Sequence, residues 1–328
     1  MRSAHPRWNV LAVGIALLAL AGCAADPEIG PTNAAPTPSP TASAPPPLAD
    51  PAPRVGVDCA AVVDLAAVST LLGGGATFRP TAMRFPADAA VLQAGVLQCS
   101  WSGPGSASLS IALSPLDLWA SPPTSLAPAC STQPQLGQCG LWQVSGSFYV
   151  EAVATLFSDV NGSALQSAFD AVTAQLQAAT AEDALPAWPS PERGPGGFPG
   201  CTGLDGSDLA TALGATSGPV NYDSGDGLSG RYAAFAAAGY AACEWEVPGG
   251  NFGISYVPGS AWAFPTTGDP VTVDGADEAR QTCDDFGCRI DARVGETWIS
   301  AGYLDVSQVP AAGGRLATVI DALPVEPT

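Results

Sequence analysis

The sequence predicts an α+β protein made of two similar domains, each an antiparallel sheet with flanking helices, stapled by disulfides. Three observations predict it. A set of motifs occurs twice, in the same order, roughly 140–150 residues apart. Each copy holds pairs of strand-like segments separated by glycine turns, between an opening and a closing helical pattern, which is the make-up of an α+β fold. After Cys23, eight cysteines divide four and four between the copies in matching order.

Residues 1–22 have the composition of an export signal. Arg2, His5 and Arg7 form a positive start, and residues 10–21 are apolar. That run is shorter than the roughly 20 residues a permanent membrane helix needs. It closes on Leu20-Ala21-Gly22-Cys23, which resembles the bacterial lipoprotein lipobox, whose Cys becomes the acylated first residue. The reading predicts lipidation of Cys23, with palmitate-class acyl chains, and anchoring in the lipid bilayer at the outer face of the cytoplasmic membrane. One acyl chain binds only marginally. Two or more hold firmly, at about 0.8 kcal/mol per buried CH₂.

Residues 23–54 are the acylated Cys and a Pro/Ala/Thr/Ser linker, with ten prolines between 26 and 53. At about 3.1 Å per residue such a linker extends up to roughly 90 Å. Residues 55–179 are the first repeat. Val62, Leu65, Val68 and Leu72 follow Cys59 at helical spacing and end at Gly73. Segments 96–101 and 108–113 flank the turn Gly103-Pro104-Gly105, and 142–144 and 148–153 flank Ser145-Gly146. Residues 164–176 close the repeat as an apolar helix. Residues 180–199 hold five prolines and Gly194-Pro195-Gly196-Gly197, a linker composition. Residues 200–328 are the second repeat. It opens from Cys201 to Gly214. Strands at 240–247 and 252–257 flank Pro248-Gly249-Gly250, those at 289–293 and 297–303 flank Val294-Gly295, and a helix spans 315–323.

The duplication rests on specific residues. Gly95-x-x-x-Cys99-x-Trp101 matches Gly239-x-x-x-Cys243-x-Trp245. Ile111-x-x-x-Pro115-x-x-x-Trp119-Ala120 matches Ile254-x-x-x-Pro258-x-x-x-Trp262-Ala263. Cys139 and Cys288 each precede a glycine (Gly146, Gly295) by seven residues, and Tyr149 and Trp298 lie three beyond that glycine. A period of this length is that of a domain, not of a solenoid. Four cysteines allow three pairings per repeat. We favour Cys59–Cys99 with Cys130–Cys139, and Cys201–Cys243 with Cys283–Cys288, which fasten each opening helix to the Cys-x-Trp strand. Zinc is the alternative, but only Cys283-x₄-Cys288 approaches a ligand spacing.

Composition excludes more chemistry than it suggests. The chain has no Lys, and its single His is His5. Beyond the signal there is therefore no Ser-His-Asp or Cys-His relay and no His-x-x-x-His metal helix. Ser-x-x-Lys, the phosphate-loop Lys and Schiff-base chemistry fall with the lysines. The formal net charge is −19, and losing Arg2 and Arg7 makes it more negative. This argues against nucleic acid, whose binding needs cations against phosphates. No cofactor is expected. Gly225-Asp226-Gly227-Leu228-Ser229-Gly230 has G-x-G-x-x-G form, but a polar stretch precedes it where a dinucleotide site needs a buried strand. It reads as a flexible loop. Asn221, Asp223 and Asp226 suggest a calcium loop, yet its twelfth position is Tyr232 instead of Glu. Asp277-Glu278 and Asp284-Asp285 flank Cys283 as a carboxylate set that a glycan hydrolase could use. Trp101, Trp119, Trp245 and Trp262 recur at repeat positions and read chiefly as core. Trp119, Trp262, Tyr232 and Arg231 are retained as candidate binding residues for an apolar groove.

Lipobox, Pro/Thr linker, Cys-before-helix and Cys-x-Trp strand together resemble lipoproteins of the actinobacterial cell envelope that carry a domain of unknown function. Each half, roughly 58–178 and 200–324, looks like one copy of that domain. The resemblance implies a compact sheet-and-helix sandwich and a binding or accessory role. The expected function is a non-enzymatic envelope lipoprotein that binds an envelope protein, lipid or glycan. A carboxylate-dependent glycan hydrolase and a purely structural coat protein are the alternatives.

Overall fold

A computed structural model describes residues 50–323 except 81, 82, 120, 122, 123, 190–200, 205, 222–228, 286 and 305–307. The signal, Cys23 and most of both expected linkers lie outside the described residues. Residues 49–328 form one compact unit. The protein is α+β, with a six-stranded and a seven-stranded antiparallel sheet.

In the first half the order is α1 (Cys59–Val62), α2 (Leu65–Leu71), β1 (Thr77–Arg79), α3 (Pro86–Gln93), β2 (Leu97–Ser102), β3 (Ser108–Pro115), β4 (Leu126–Gln133), β5 (Leu136–Ser145), β6 (Phe148–Leu156) and α4 (Gly162–Ala179). The second half has α5 (Ser207–Leu213), β7 (Val220–Asn221), α6 (Ser229–Ala238), β8 (Ala241–Val247), β9 (Gly250–Val257), β10 (Asp269–Pro270), β11 (Glu278–Asp284), β12 (Gly287–Val294), β13 (Thr297–Leu304) and α7 (Val309–Ala322). The sheets run β1-β2-β3-β6-β5-β4 and β10-β11-β12-β13-β9-β8-β7. The order is the same in both apart from β10, which adds one strand to the second edge. Consecutive hairpins alone do not produce it: β3 pairs with β6, and β4 is carried to the far edge.

The opening helix expected from Cys59 to Gly73 is two helices. Asp58 caps the first by accepting from Ala61 N–H, and Asp64 interrupts the run and caps the second by accepting from Ala67 N–H. The closing helix α4 starts at Asn161, whose carboxamide oxygen accepts from the Ser163 and Ala164 amides. Leu165, Phe169, Val172 and Leu176 recur on one face of α4 and are buried against the sheet. Each contributes about 1.5–3 kcal/mol by leaving water. A second core joins α5, α7 and the other sheet, with Trp245 and Phe252 fully buried.

All four bridges favoured above are present. Cys59–Cys99 and Cys201–Cys243 tie the opening turn of each half to its Cys-x-Trp strand. Cys130–Cys139 and Cys283–Cys288 join directly paired residues of adjacent strands.

The helices α3 and α6 are not visible as patterns in the sequence, and they decide the architecture. They pack on each other. Each also lies on the sheet of the opposite half: α3 on β9 and β13, α6 on β3 and the following turn, Leu116–Leu118. A third core results, drawn from both halves, of Ala87, Ala90, Val91, Ala94, Ala112, Ala234, Phe235, Ala238 and Val257. Each sheet is thus covered on one face by its own helices and on the other by a helix from its counterpart. Among the described residues no helix is long and apolar enough to cross a membrane.

Candidate functional site: an apolar cleft and its braces

An open cleft of about 520 Å³ lies where the described chain begins. Its walls are Ala52, Pro53 and residues 56–60, with Phe78 from β1, Leu97 from β2 and Leu185 from the segment after α4. Four stretches distant in sequence therefore meet there.

One buried side chain holds the walls together. Arg54 is 8% exposed. Its guanidinium donates to both carboxylate oxygens of Asp117, at 2.7 and 2.8 Å, and through Nε to the Leu185 carbonyl at 2.6 Å. Its backbone donates to Gly95 O and accepts from Leu185 N–H. Gly95 must be glycine for two reasons. Its φ is +76°, in the left-handed region, and a Cβ there would sit 2.4 Å from Arg54 Cγ. This explains the glycine of the first Gly-x-x-x-Cys motif. Its counterpart Gly239, at φ +70°, ends α6 as Gly95 ends α3. The Arg54 guanidinium beside Asp117 holds that carboxyl below its ordinary range. The cleft floor leans on Phe78, whose ring centroid is 5.6 Å from that of the buried Trp101.

None of the four candidate binding residues is among those lining the cleft. Arg231 and Tyr232 lie on α6, where the halves meet. Arg231 reaches Asp88 of α3 at 3.9 Å and lies over Phe235, and Tyr232 packs edge-on to Phe235. Trp119 is half-buried against Tyr149, with ring centroids 5.3 Å apart. Trp262 sits in the equivalent turn, Ala261–Ala263, beside β13. Trp101 and Trp245 are core residues, as expected.

The carboxylate set around Cys283 is not brought together. Glu278 and Asp284 are the two ends of β11, six residues apart, about 20 Å along an extended strand. Asp277 accepts from Gly295 N–H, and Glu278 from Arg280. The residues between Glu278 and Asp284 are extended rather than turned, which keeps the acids apart. Asp223 and Asp226 of the suggested calcium loop, and Gly225 to Leu228 of the glycine motif, lie outside the described residues.

Two buried carboxylates were not anticipated. Glu151 on β6 is fully buried and accepts from Gly230 N–H in the first turn of α6, at 2.6 Å. An anion at a helix N-terminus is the favourable arrangement, and here the anion comes from the other half. Gly230 is the last residue of the G-x-G-x-x-G string. A Cβ on it would lie 2.1 Å from Ser114 Oγ and 2.7 Å from Glu151 Oε2, so this glycine serves close approach, not loop freedom. Asp291 on β12 is also fully buried. It accepts from Trp298 Nε1 and Arg289 Nε, and the Arg289 guanidinium lies over Phe85, just before α3. The cross-strand pairs are Trp142 with Glu151, and Asp291 with Ser300. The acid has changed strands between halves, which is why comparing motifs missed it. Glu151 thus bonds directly across the halves, and Asp291 orients the Arg289 that lies over Phe85 of the other half.

The sequence matches no protein-family model and no curated protein. Among solved structures, the chain aligns with the crystal structure of DynU16, described as a putative protein in the dynemicin biosynthetic locus, at 12% identity. The alignment covers 83% of this chain and 93% of that one, with a TM-score of 0.15. A likeness that weak carries no argument about fold or function.

Proposed function

We propose that the protein is a lipid-anchored, extracytoplasmic envelope lipoprotein with a duplicated domain and a non-enzymatic role in binding a ligand or partner. The observation that carries the binding role is the open apolar cleft, walled by four distant segments and braced by Arg54. The four disulfides fit an oxidising compartment outside the cytoplasm. The lipobox supplies the tether.

Two experiments test the reading. Metabolic palmitate labelling should mark the wild-type chain and be lost in Cys23→Ala, and globomycin should block processing. Retention of label in Cys23→Ala refutes the anchor. The oxidised chain, immobilised and passed over envelope extract, should retain a defined protein, lipid or glycan. Hydrolysis of envelope glycan without retention of a ligand would favour the hydrolase, and neither outcome would favour a structural coat.

A further inference from the structure

We propose that the cleft takes a single aliphatic chain of an uncharged envelope lipid. The proposal rests on the binding reading above and names the ligand class for that site. Three large apolar side chains that stand exposed on this surface gather at the cleft: Val57 at 36%, Phe78 at 42% and Leu185 at 49%. Apolar side chains scattered singly need no explanation, whereas a group sharing one concavity marks a place that meets something apolar. Buried Leu97, the Cys59 end of a disulfide, Ala52, Pro53 and Ala60 add further apolar lining.

The charge pattern selects the head of the ligand. Asp58 is the one ionisable residue in the lining, and its carboxylate is engaged in capping α1 through the Ala61 amide. Arg54, next to the wall, is turned to Asp117. Among the described residues that line the cleft there is thus no cation to receive a phosphate or carboxylate, and a chain of formal net charge −19 repels anionic heads. The volume, about 520 Å³, falls in the range of roughly 300–1,000 Å³ typical of small-molecule sites.

Position supplies the last argument. Ala52 of the cleft wall follows Cys23 by only 29 residues in sequence. A linker of up to roughly 90 Å keeps the cleft within reach of the bilayer that an acylated Cys23 would enter.

The test uses the full chain with Cys23→Ser, purified without acyl groups and with its disulfides intact. The probe is cis-parinaric acid methyl ester, followed by polyene fluorescence and by quenching of tryptophan emission, since Trp101 stands behind Phe78. The expected result is saturable binding of one probe per chain, displaced by 1-monopalmitoylglycerol and not by glycerol. Leu185→Asp and Val57→Asp should each weaken binding roughly tenfold or more, because a carboxylate enters an apolar wall. Phe157→Asp, at an exposed site outside the lining, should leave binding unchanged. Non-saturable binding, or binding equal in all variants, overturns the proposal. So does a concentration-dependent dimer in sedimentation that Leu185→Asp abolishes, because the cleft would then hold a second copy. Failure of the probe with a protein or glycan retained from envelope extract overturns the lipid and leaves the binding reading standing. Failure of both overturns both.

Discussion

Replacing Gly230 by Ala tests how the halves are joined. In an ordinary helix this change stabilises by about 1 kcal/mol, since alanine is the better helix former. Here the added methyl would meet Ser114 Oγ at 2.1 Å, Ser114 Cβ at 3.2 Å and Glu151 Oε2 at 2.7 Å. Rotating Ser114 relieves only the first contact. The remaining overlap must push α6 away from β3 and β6, at a typical overpacking cost of about 1–3 kcal/mol. The same displacement stretches the bond from Gly230 N–H to the buried Glu151 carboxylate. Hydrogen bonds to charged groups contribute about 1.5–3 kcal/mol. Offsetting the helix-propensity gain leaves a net destabilisation of roughly 1.5–5 kcal/mol by these magnitudes. Guanidinium denaturation of the oxidised protein, followed by circular dichroism, measures it as a lowered midpoint. Ser114→Gly in the Gly230→Ala background should recover part of the loss, because it removes two of the three contacts. A neutral or stabilising Gly230→Ala would show that α6 does not sit on Glu151 and would refute the account of the third core.

Other substitutions probe the remaining parts. Phe169→Ala empties the centre of the first core, where Phe169 is fully buried, and should cost about 3–5 kcal/mol in the same denaturation assay. Removing Cys59–Cys99, which spans 40 residues, should cost about 4 kcal/mol on the chain-entropy account, against about 2.5 for the nine-residue Cys130–Cys139 loop. Equal losses from paired Cys→Ala variants would contradict that ordering. Arg54 lowers the Asp117 pKa in the folded protein. The stability from this pair is thus fully present above the unfolded carboxyl pKa of about 3.9 and is lost as pH falls through the lower folded value. Because Asp117 is largely exposed, the effect is at most about 1 kcal/mol. Thermal unfolding below about pH 4 should fall less steeply for Asp117→Asn than for wild type, and parallel curves would refute the linkage.

Much of the fold was legible because its signals are local. Glycine turns at Gly146 and Gly295, the hairpin at Gly103 to Gly105, and the apolar face of α4 all lie within a few residues of what they specify. The short helices α3 and α6 were not legible. Alanine-rich and packed on two sides, they lack the single apolar stripe that marks a helix on one sheet. Strand β4 went unseen because Leu126-Ala127-Pro128-Ala129-Cys130-Ser131 shows no alternation and lies largely exposed at an edge. The candidate site was illegible for a different reason. Val57, Phe78, Leu97 and Leu185 become neighbours only through tertiary folding, and the one of them inside a motif, Leu97 of Gly95-x-x-x-Cys99, occupies an unspecified position of it. Recurrence pointed instead to Trp119 and Trp262, because recurrence reports what both halves need, whereas the cleft belongs to one half.

The reciprocal placement of α3 and α6 makes each half of the chain the cover of the other. Taken alone, either half would leave an alanine-rich helix and the face of its sheet that meets the other half open to water. Covering each other does not require the halves to be identical. One half carries an apolar cleft while the other adds β10, and neither change has to be tolerated twice.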